Sequence, residues 1–301
     1  MAWHARHMPH EALEVAVIHH RTPTLLTQAL ERLALVAPEL PVRVVDTAFD
    51  RSLALQLDGA HPRLTWLPVP NHSYAASVNA AARHAQRPLL LQMNADVLLA
   101  ERTIHDLLRA LEDPRVAVAG PLPRTPSGAL QDLGVPYRWH YARLHWRQRM
   151  RARSPSVGVP WLSGCVQLLR REALMAVGGF DARLRFYNED LEWCTRARRA
   201  GWRCRLVPSE VVHVGGASSR QRLVFTLEGL RGGYAITRRH GPAWLRPLHR
   251  WGLAAAAWTL AHTERAPARR QAWRALAQRS IRDDLDRATF GTALDDAEGL
   301  G

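Results

Sequence analysis

The chain has 301 residues, with 41 basic and 27 acidic side chains, a formal charge of +14 and 47% hydrophobic residues. That length and apolar fraction suit one large or two small globular domains and exclude a disordered polycation. Every basic residue is arginine, a permanent cationic field that forks onto phosphate, so nucleic acid, membrane and nucleotide are the partner classes to separate.

The first residues, Met1 to His7, lack the apolar core and cleavage site of a secretory signal. Cys165, Cys194 and Cys204 cannot all pair, and none stands in a Cys-x-x-Cys spacing, which fits a reducing cytosol. Leu13 to Ile18 is a short apolar run that ends at His19-His20-Arg21-Thr22-Pro23, and a helical pattern of Leu25, Leu26, Leu30 and Leu33 follows. Apolar runs with polar ends recur at Val42 to Val45, Leu64 to Leu67 and Leu89 to Met93. Alternating strand and helix signals predict an α/β fold with a helix-covered, largely parallel sheet. Ligands of such sheets bind outside the carboxyl ends of the strands, which singles out His19, Arg21, Asp46, Asn94 and Asp96.

From Pro121 to Pro160 the pattern fades into a long excursion, and the run from Tyr137 to Arg153 has no acid. Regularity returns at Trp161 to Leu169, a strand and helix lead to Gly178-Gly179, and a helical block spans Asn188 to Ala200. Beyond Ser219 the composition changes to arginine-rich amphipathic helices, and Asp295 to Gly299 reads as an acidic tail. No uncharged run in the C-terminal part approaches the ~20 residues needed to cross a bilayer. Trp244, Leu248, Trp251, Ala255 and Trp258 form one helical stripe, which suits either a membrane interface or packing on the catalytic domain. A second stripe, Trp273, Leu276, Ala277, Ile281 and Leu285, is compatible with both.

Three segments carry candidate chemistry. A buried strand ending in Asn94-Ala95-Asp96 brings two oxygen ligands to a cleft, as Mg2+ or Mn2+ on a diphosphate requires; a turn or helix cap uses the same residues. Gly178-Gly179-Phe180-Asp181 leads to Tyr187-Asn188-Glu189-Asp190, where acids open a helix either as caps or as a carboxylate base. His213 closes an apolar strand before Gly215-Gly216, and a neutral ring there can complete a metal shell.

Together, and in this order, the segments resemble inverting glycosyltransferases of family 2, nucleotide-sugar transferases of GT-A fold, especially the bacterial rhamnosyltransferase-like branch. The resemblance covers about residues 13 to 219 and is strongest over Gly178 to Ser218, through Gly178-Gly179-Phe180-Asp181, Tyr187-x-Glu189-Asp190, Arg196-x-Arg198-x-x-Gly201 and Pro208-x-x-x-Val212-His213-x-x-Gly216-x-Ser218. It implies a GT-A domain over 1–219, with a donor half about 13–120 and an acceptor half about 121–219, followed by a helical segment over 220–301. It further implies Asp190 as general base supported by Glu189, and His19, Asp46, Asn71, Asn79, Asn94, Asp96 and Gly164 around the nucleotide sugar. A divalent metal, Mg2+ or Mn2+, would sit on Asp96, His213 and Asn94, and Trp161 and Trp193 would lie on the acceptor side. The sequence departs from the family where the first strand ends in His19-His20-Arg21 instead of Thr-Tyr-Asn, and where neutral Asn94 replaces the first acid of the metal motif.

The implied reaction moves a sugar from a nucleotide diphosphate, of dTDP-rhamnose or UDP-hexose type, to a saccharide or lipid-linked acceptor in cell-surface polysaccharide synthesis. Such an enzyme is expected in the cytoplasm, peripheral on the inner membrane, with an anionic membrane surface as a further partner. Two other readings compete: a catalytically inactive relative, and a nucleic-acid-binding protein prompted by arginines interleaved with Trp139, Tyr141 and Trp146. Against the latter, no recognition motif is present and the strand-end acids repel phosphate unless a cation intervenes.

Overall fold

A computed structural model gives the fold and describes residues 10–131, 142–147, 149–150, 156–215 and 222–285. Trp139, Tyr141, Ser218 and the acidic tail lie outside the described residues, as does half of the acid-free run that follows Tyr137.

Nine strands form one sheet: β1 (Leu13–His19), β2 (Val42–Asp46), β3 (Leu64–Pro68), β4 (Leu89–Asn94), β5 (Val97–Leu99), β6 (Val116–Arg124), β7 (Val157–Val159), β8 (Val166–Arg170) and β9 (Arg203–His213). Besides a 3-10 turn at His10–Ala12 and a short helical stretch at 142–147, the helices among the described residues are α1 (Pro23–Val36), α2 (Arg51–Gln56), α3 (Tyr74–His84), α4 (Thr103–Ala110), α5 (Arg171–Val177), α6 (Glu189–Arg199), α7 (Arg222–His240), α8 (Leu245–Thr263) and α9 (Pro267–Arg282). Spatial order is β3-β2-β1-β4-β8-β6-β9-β5, with β7 paired to β9. The first four strands in that order run parallel; β8 joins β4 antiparallel. This junction brings the ends of β1 and β4 beside the start of β8 and opens a crevice there.

Successive residues of β1 feed opposite faces, as a pleated strand buried on both sides must. Leu13, Val15 and Val17 pack with Leu26, Leu30 and Leu33 of α1 and Ile104 and Leu107 of α4. Ala16 and Ile18 pack with Val78 of α3, Ala173 of α5 and Trp193 of α6. The result is a three-layer sandwich with the sheet in the middle.

The helix beyond residue 219 is not separate from this unit. Glu228 and Arg231 of α7 form a buried ion pair at 2.8 Å, and Arg231 also donates to the Arg183 carbonyl at 2.7 Å. Arg239 pairs with Asp181, and Arg199 of α6 donates to the His240 carbonyl at 2.7 Å. Two of the four interactions land on the segment that leads into α6 and a third on the last residue of α6, so α7 buttresses that helix at both ends. A third hydrophobic cluster joins α7 to the α8–α9 hairpin through Leu223, Leu227, Tyr234, Leu253, Trp273 and Leu276. Among the described residues no helix is long and apolar enough to cross a membrane.

Candidate active site

A cavity of about 220 Å³ opens at the ends of β1 and β4. Its wall includes Asn71, Asn94, Asp96 and His213, four of the residues expected there from sequence. The peptide after β4 turns through Ala95, whose N–H donates to the Ile18 carbonyl at 3.0 Å, and this delivers Asp96 to the rim. Asp96 Oδ2 accepts the Gly215 N–H at 3.0 Å, while Oδ1 lies 3.3 Å from His213 Nε2. Strand β9 brings His213 opposite Val97 in β5, so register alone sets this pair. Burial resists charging of the ring, but hydrogen bonding to Asp96 and Cys165 outweighs it and pushes His213 up to about 10.

The donor set fits a divalent cation. Asn94 Oδ1 is buried and has no hydrogen-bond partner, an uncompensated acceptor at the same rim. His213 Nδ1 meets Gln131 Oε1 at 2.8 Å, an outer-shell contact that would orient the imidazole with Nε2 toward a cation, whose binding would displace the proton that Nε2 otherwise shares with Asp96. Among the described residues there is no cluster of three or more His, Cys, Asp or Glu. A partial shell of this kind suits Mg2+ or Mn2+, which take few protein carboxylates and share the rest of their coordination with phosphate and water.

Asp190 opens α6 and is fixed by two backbone donors. Gly164 N–H reaches Oδ2 at 2.8 Å, and Leu191 N–H reaches Oδ1 at 2.7 Å. The preceding residues, Tyr187 and Asn188, both adopt left-handed φ, 65° and 69°. Asn188 Nδ2 donates to the Gly229 carbonyl of α7 at 2.8 Å, which secures this strained turn. A Cβ on Gly232 would lie 2.9 Å from Asn188 Nδ2, so α7 must be bare at that point to approach. Gly232→Ala is expected to cost about 1–3 kcal/mol through overpacking, read as a lower Tm with unchanged secondary structure.

Burial pushes both acids of the turn upward. Asp190 is raised by desolvation against its backbone donors, and Glu189 is raised by desolvation and then by the neighbouring Asp190 charge. Glu189 Oε2 is buried without a hydrogen-bond partner, whereas both Asp190 oxygens are solvated by N–H groups. The two acids titrate as a pair, in which the backbone donors favour charge on Asp190 and burial favours the proton on Glu189. Neither lines the cavity. The segment Gly164–Cys165 joins the two places: Gly164 N–H holds Asp190, and the Cys165 carbonyl accepts the Asn94 N–H at 2.9 Å. The Gly164 carbonyl lies 2.8 Å from both the Tyr74 hydroxyl and the donating Gln92 amide.

Four sequence expectations need correction in the geometry. Asp46 is buried and its oxygens accept the Ala48 and Asp50 N–H groups, at 2.9 and 2.8 Å, and meet His19 Nδ1 at 3.3 Å. Burial works against its charge, but these partners outweigh it and hold the carboxyl below its ordinary range. His19 is likewise spent, on Asp46 and on the Thr22 N–H, so both organise the loops beneath the cavity. Asn79 exchanges two 2.8 Å hydrogen bonds with the Phe180 backbone and pins the Gly178-Gly179 turn. A Cβ on Gly179 would come within 2.5 Å of Asn79 Oδ1, which explains the second glycine. Trp193 has 0% exposure, stacks on Phe180 at 5.3 Å and donates to the Gly178 carbonyl, so it is a core residue and not an acceptor contact. Trp161 is half-buried against the same core cluster.

The sequence reading missed the wall made by His20, Thr47, Tyr74, Gln131, Phe186, Tyr187 and Phe225. Phe186 and Phe225 lie 4.0 Å apart between ring centroids, and they come from the α6 approach and from α7.

A model of the family described as "Glycosyltransferase like family 2" matches residues 32–231, well over half of the chain. The chain belongs to glycosyltransferase family 2. It is 31% identical over 202 residues to the N-acetylglucosaminyl-diphospho-decaprenol L-rhamnosyltransferase of Mycobacterium tuberculosis, covering 64% of this chain and 58% of that protein. It is 31% identical over 173 residues to the O-antigen biosynthesis protein RfbC of Myxococcus xanthus, covering 52% of this chain and 13% of that one. The chain thus spans little more than half the length of the first relative. Among solved structures, the mannosyltransferase PcManGT from Pyrobaculum calidifontis, in complex with GDP-Man and Mn2+, superposes with a TM-score of 0.60 at 20% identity, over 90% of this chain and 85% of that one. GalNAc-T7 with UDP, GalNAc and Mn2+ gives 0.55 at 14% identity, over 67% and 42%. The fold is GT-A, with the family match running on into α7.

Proposed function

We infer that this family 2 enzyme is an inverting glycosyltransferase that moves a sugar from a nucleotide diphosphate to a hydroxyl of a saccharide or lipid-linked acceptor in cell-surface polysaccharide synthesis. A single observation carries the reading: Gly164–Cys165 ties a backbone-solvated carboxylate, Asp190, to the wall that presents Asn94, Asp96 and His213. One side of that segment offers a base, the other an oxygen and imidazole rim suited to a diphosphate.

Asp96, His213 and Asn94 would hold a divalent cation, which when bound supplies Lewis-acid neutralisation of charge developing on the leaving diphosphate. The chain's own groups do the rest. Asn71 and the loops set by His19 and Asp46 shape the donor side, while Phe186, Tyr187 and Phe225 give the sugar an apolar wall. Asp190 takes the acceptor proton at Oδ1 or Oδ2 as the hydroxyl oxygen bonds to the anomeric carbon and the bond to the diphosphate breaks. One displacement inverts the anomeric centre. Glu189, holding its proton, adds no second negative charge against the incoming oxygen.

The M. tuberculosis relative's name supports a rhamnosyl donor and a lipid-linked diphosphosaccharide acceptor; we take dTDP-rhamnose as the donor, with UDP-hexoses as the alternative donor class. The test is a thermal-shift panel of dTDP, UDP and GDP, each with and without Mn2+, followed by turnover with the matching sugar nucleotide. The dTDP–Mn2+ pair is expected to stabilise most; stabilisation by GDP alone contradicts the donor assignment.

A further inference from the structure

The two tryptophan stripes of the C-terminal hairpin go opposite ways. Of the α9 stripe, Trp273, Leu276, Ala277 and Leu285 are buried against Leu253, Ala257 and Ala261 of α8 and against α7, and only Ile281 is exposed. The α8 stripe faces away from that core: Trp244 is 67% exposed, Leu248 63%, Trp251 51% and Trp258 60%. These positions recur at spacings of four, three and seven residues, so they share one helix face with exposed Ala255. Packing on the catalytic domain therefore does not account for them, and a contiguous apolar strip of this kind marks an interaction surface.

We propose that the exposed Trp–Leu face of α8 seats this enzyme on an anionic membrane surface, with the indoles at the headgroup level and the flanking arginines on lipid phosphates. Charge decides the occupant. Residues 242–282 contain eight arginines and one acid, Glu264, which is already paired with Arg269 at 3.0 Å. Arg246, Arg265, Arg274 and Arg282 are exposed on the hairpin. A second copy of the chain would bring the same cationic face and be repelled. Nucleic acid would want uncommitted cations along the aromatics, whereas Arg250, which lies 5.0 Å over the Trp251 ring, is held by Asp283 at 3.5 Å. Tryptophan and leucine without acids, bordered by arginine, match an in-plane interfacial helix.

The surface stands independently of the donor and acceptor reading, and it has a consequence for that reading. Helix α7 shares Leu223, Leu227 and Tyr234 with the hairpin core and carries Phe225 into the cavity wall, so seating α8 fixes the cavity relative to the bilayer.

Co-sedimentation of the full chain with vesicles tests it directly. Vesicles of phosphatidylcholine with about one third phosphatidylglycerol are expected to retain the protein at least about tenfold better than pure phosphatidylcholine, and salt should release it. W251E/W258E, both changes at exposed positions, should lower that retention by about tenfold or more while the secondary structure and nucleotide-induced thermal shift persist. W251S/W258S should act in the same direction if the acidic pair perturbs folding. Equal retention on both vesicle types, or retention unchanged in the two variants, overturns the proposal. So does a wild-type dimer, by sedimentation velocity without vesicles, that dissociates in W251S/W258S.

Discussion

Asp190→Asn is expected to abolish sugar transfer, by 10² to 10⁴-fold in kcat, while nucleotide binding survives. The substitution keeps one oxygen acceptor but leaves either the Gly164 or the Leu191 N–H facing an amide NH2, a local cost of about 1–3 kcal/mol. Thermal denaturation and nucleotide binding measured in parallel separate that cost from the lost base. Glu189→Gln gives the opposite result. Its carboxyl holds a proton beside ionised Asp190, so glutamine is nearly isosteric with the working form and transfer should stay within about tenfold of wild type. The pH profile follows from the same pair. Burial raises Asp190, so below that raised value the base is protonated and transfer falls, and above it transfer reaches a plateau. The acid limb of kcat/KM therefore lies above the ordinary carboxylate range. A limb at ordinary carboxylate pH, or a Glu189→Gln enzyme as dead as Asp190→Asn, contradicts the division of roles.

Removing the divalent cation is expected to be almost as severe. EDTA should suppress turnover by orders of magnitude and Mn2+ should restore it, because neutralising the leaving diphosphate is worth several kcal/mol of barrier. Asp96→Ala should erase the Mn2+-dependent part of nucleotide stabilisation in a thermal-shift assay. Asp96 also accepts the Gly215 N–H, so Asp96→Asn, which keeps that acceptor and loses the charge, serves as the companion variant. Turnover untouched by EDTA would show that Asn94, Asp96 and His213 serve another purpose.

What the sequence made legible was periodic or terminal. Buried strands and amphipathic helices repeat every two or 3.6 residues, so β1, α1, β4 and α6 stand out, and the polar residues closing β4 and β9 mark one rim of the cavity. Asn79 and Trp193 were not legible in the same way. Whether such a side chain faces a ligand or a distant backbone depends on partners far along the chain: Asn79 meets Phe180, and the turn that Trp193 caps is shaped by Asn79 as well. Asp46 illustrates the same limit at close range, since a strand-end acid and a loop-organising acid look identical until the Ala48 and Asp50 N–H groups are seen to consume it. Gly229 and Gly232, unremarkable in an arginine-rich helix, matter because Tyr187 and Asn188 press against them. The aromatic wall needed two remote segments, and no local pattern announces that Phe225 will reach Phe186.

The permanent arginine charge also resolves into places. Among the described residues the cavity wall includes no arginine, whereas exposed arginines gather on the hairpin around a tryptophan face. The field that suggests an anionic partner thus belongs to the surface, and the proposed chemistry to a few acids away from it.

The most direct test of the central assignment is the configuration of the new glycosidic bond, read by NMR on product made with the donor that the nucleotide panel selects. A single displacement aided by Asp190 predicts an anomeric configuration opposite to that of the sugar nucleotide. A product that keeps the donor's configuration contradicts it.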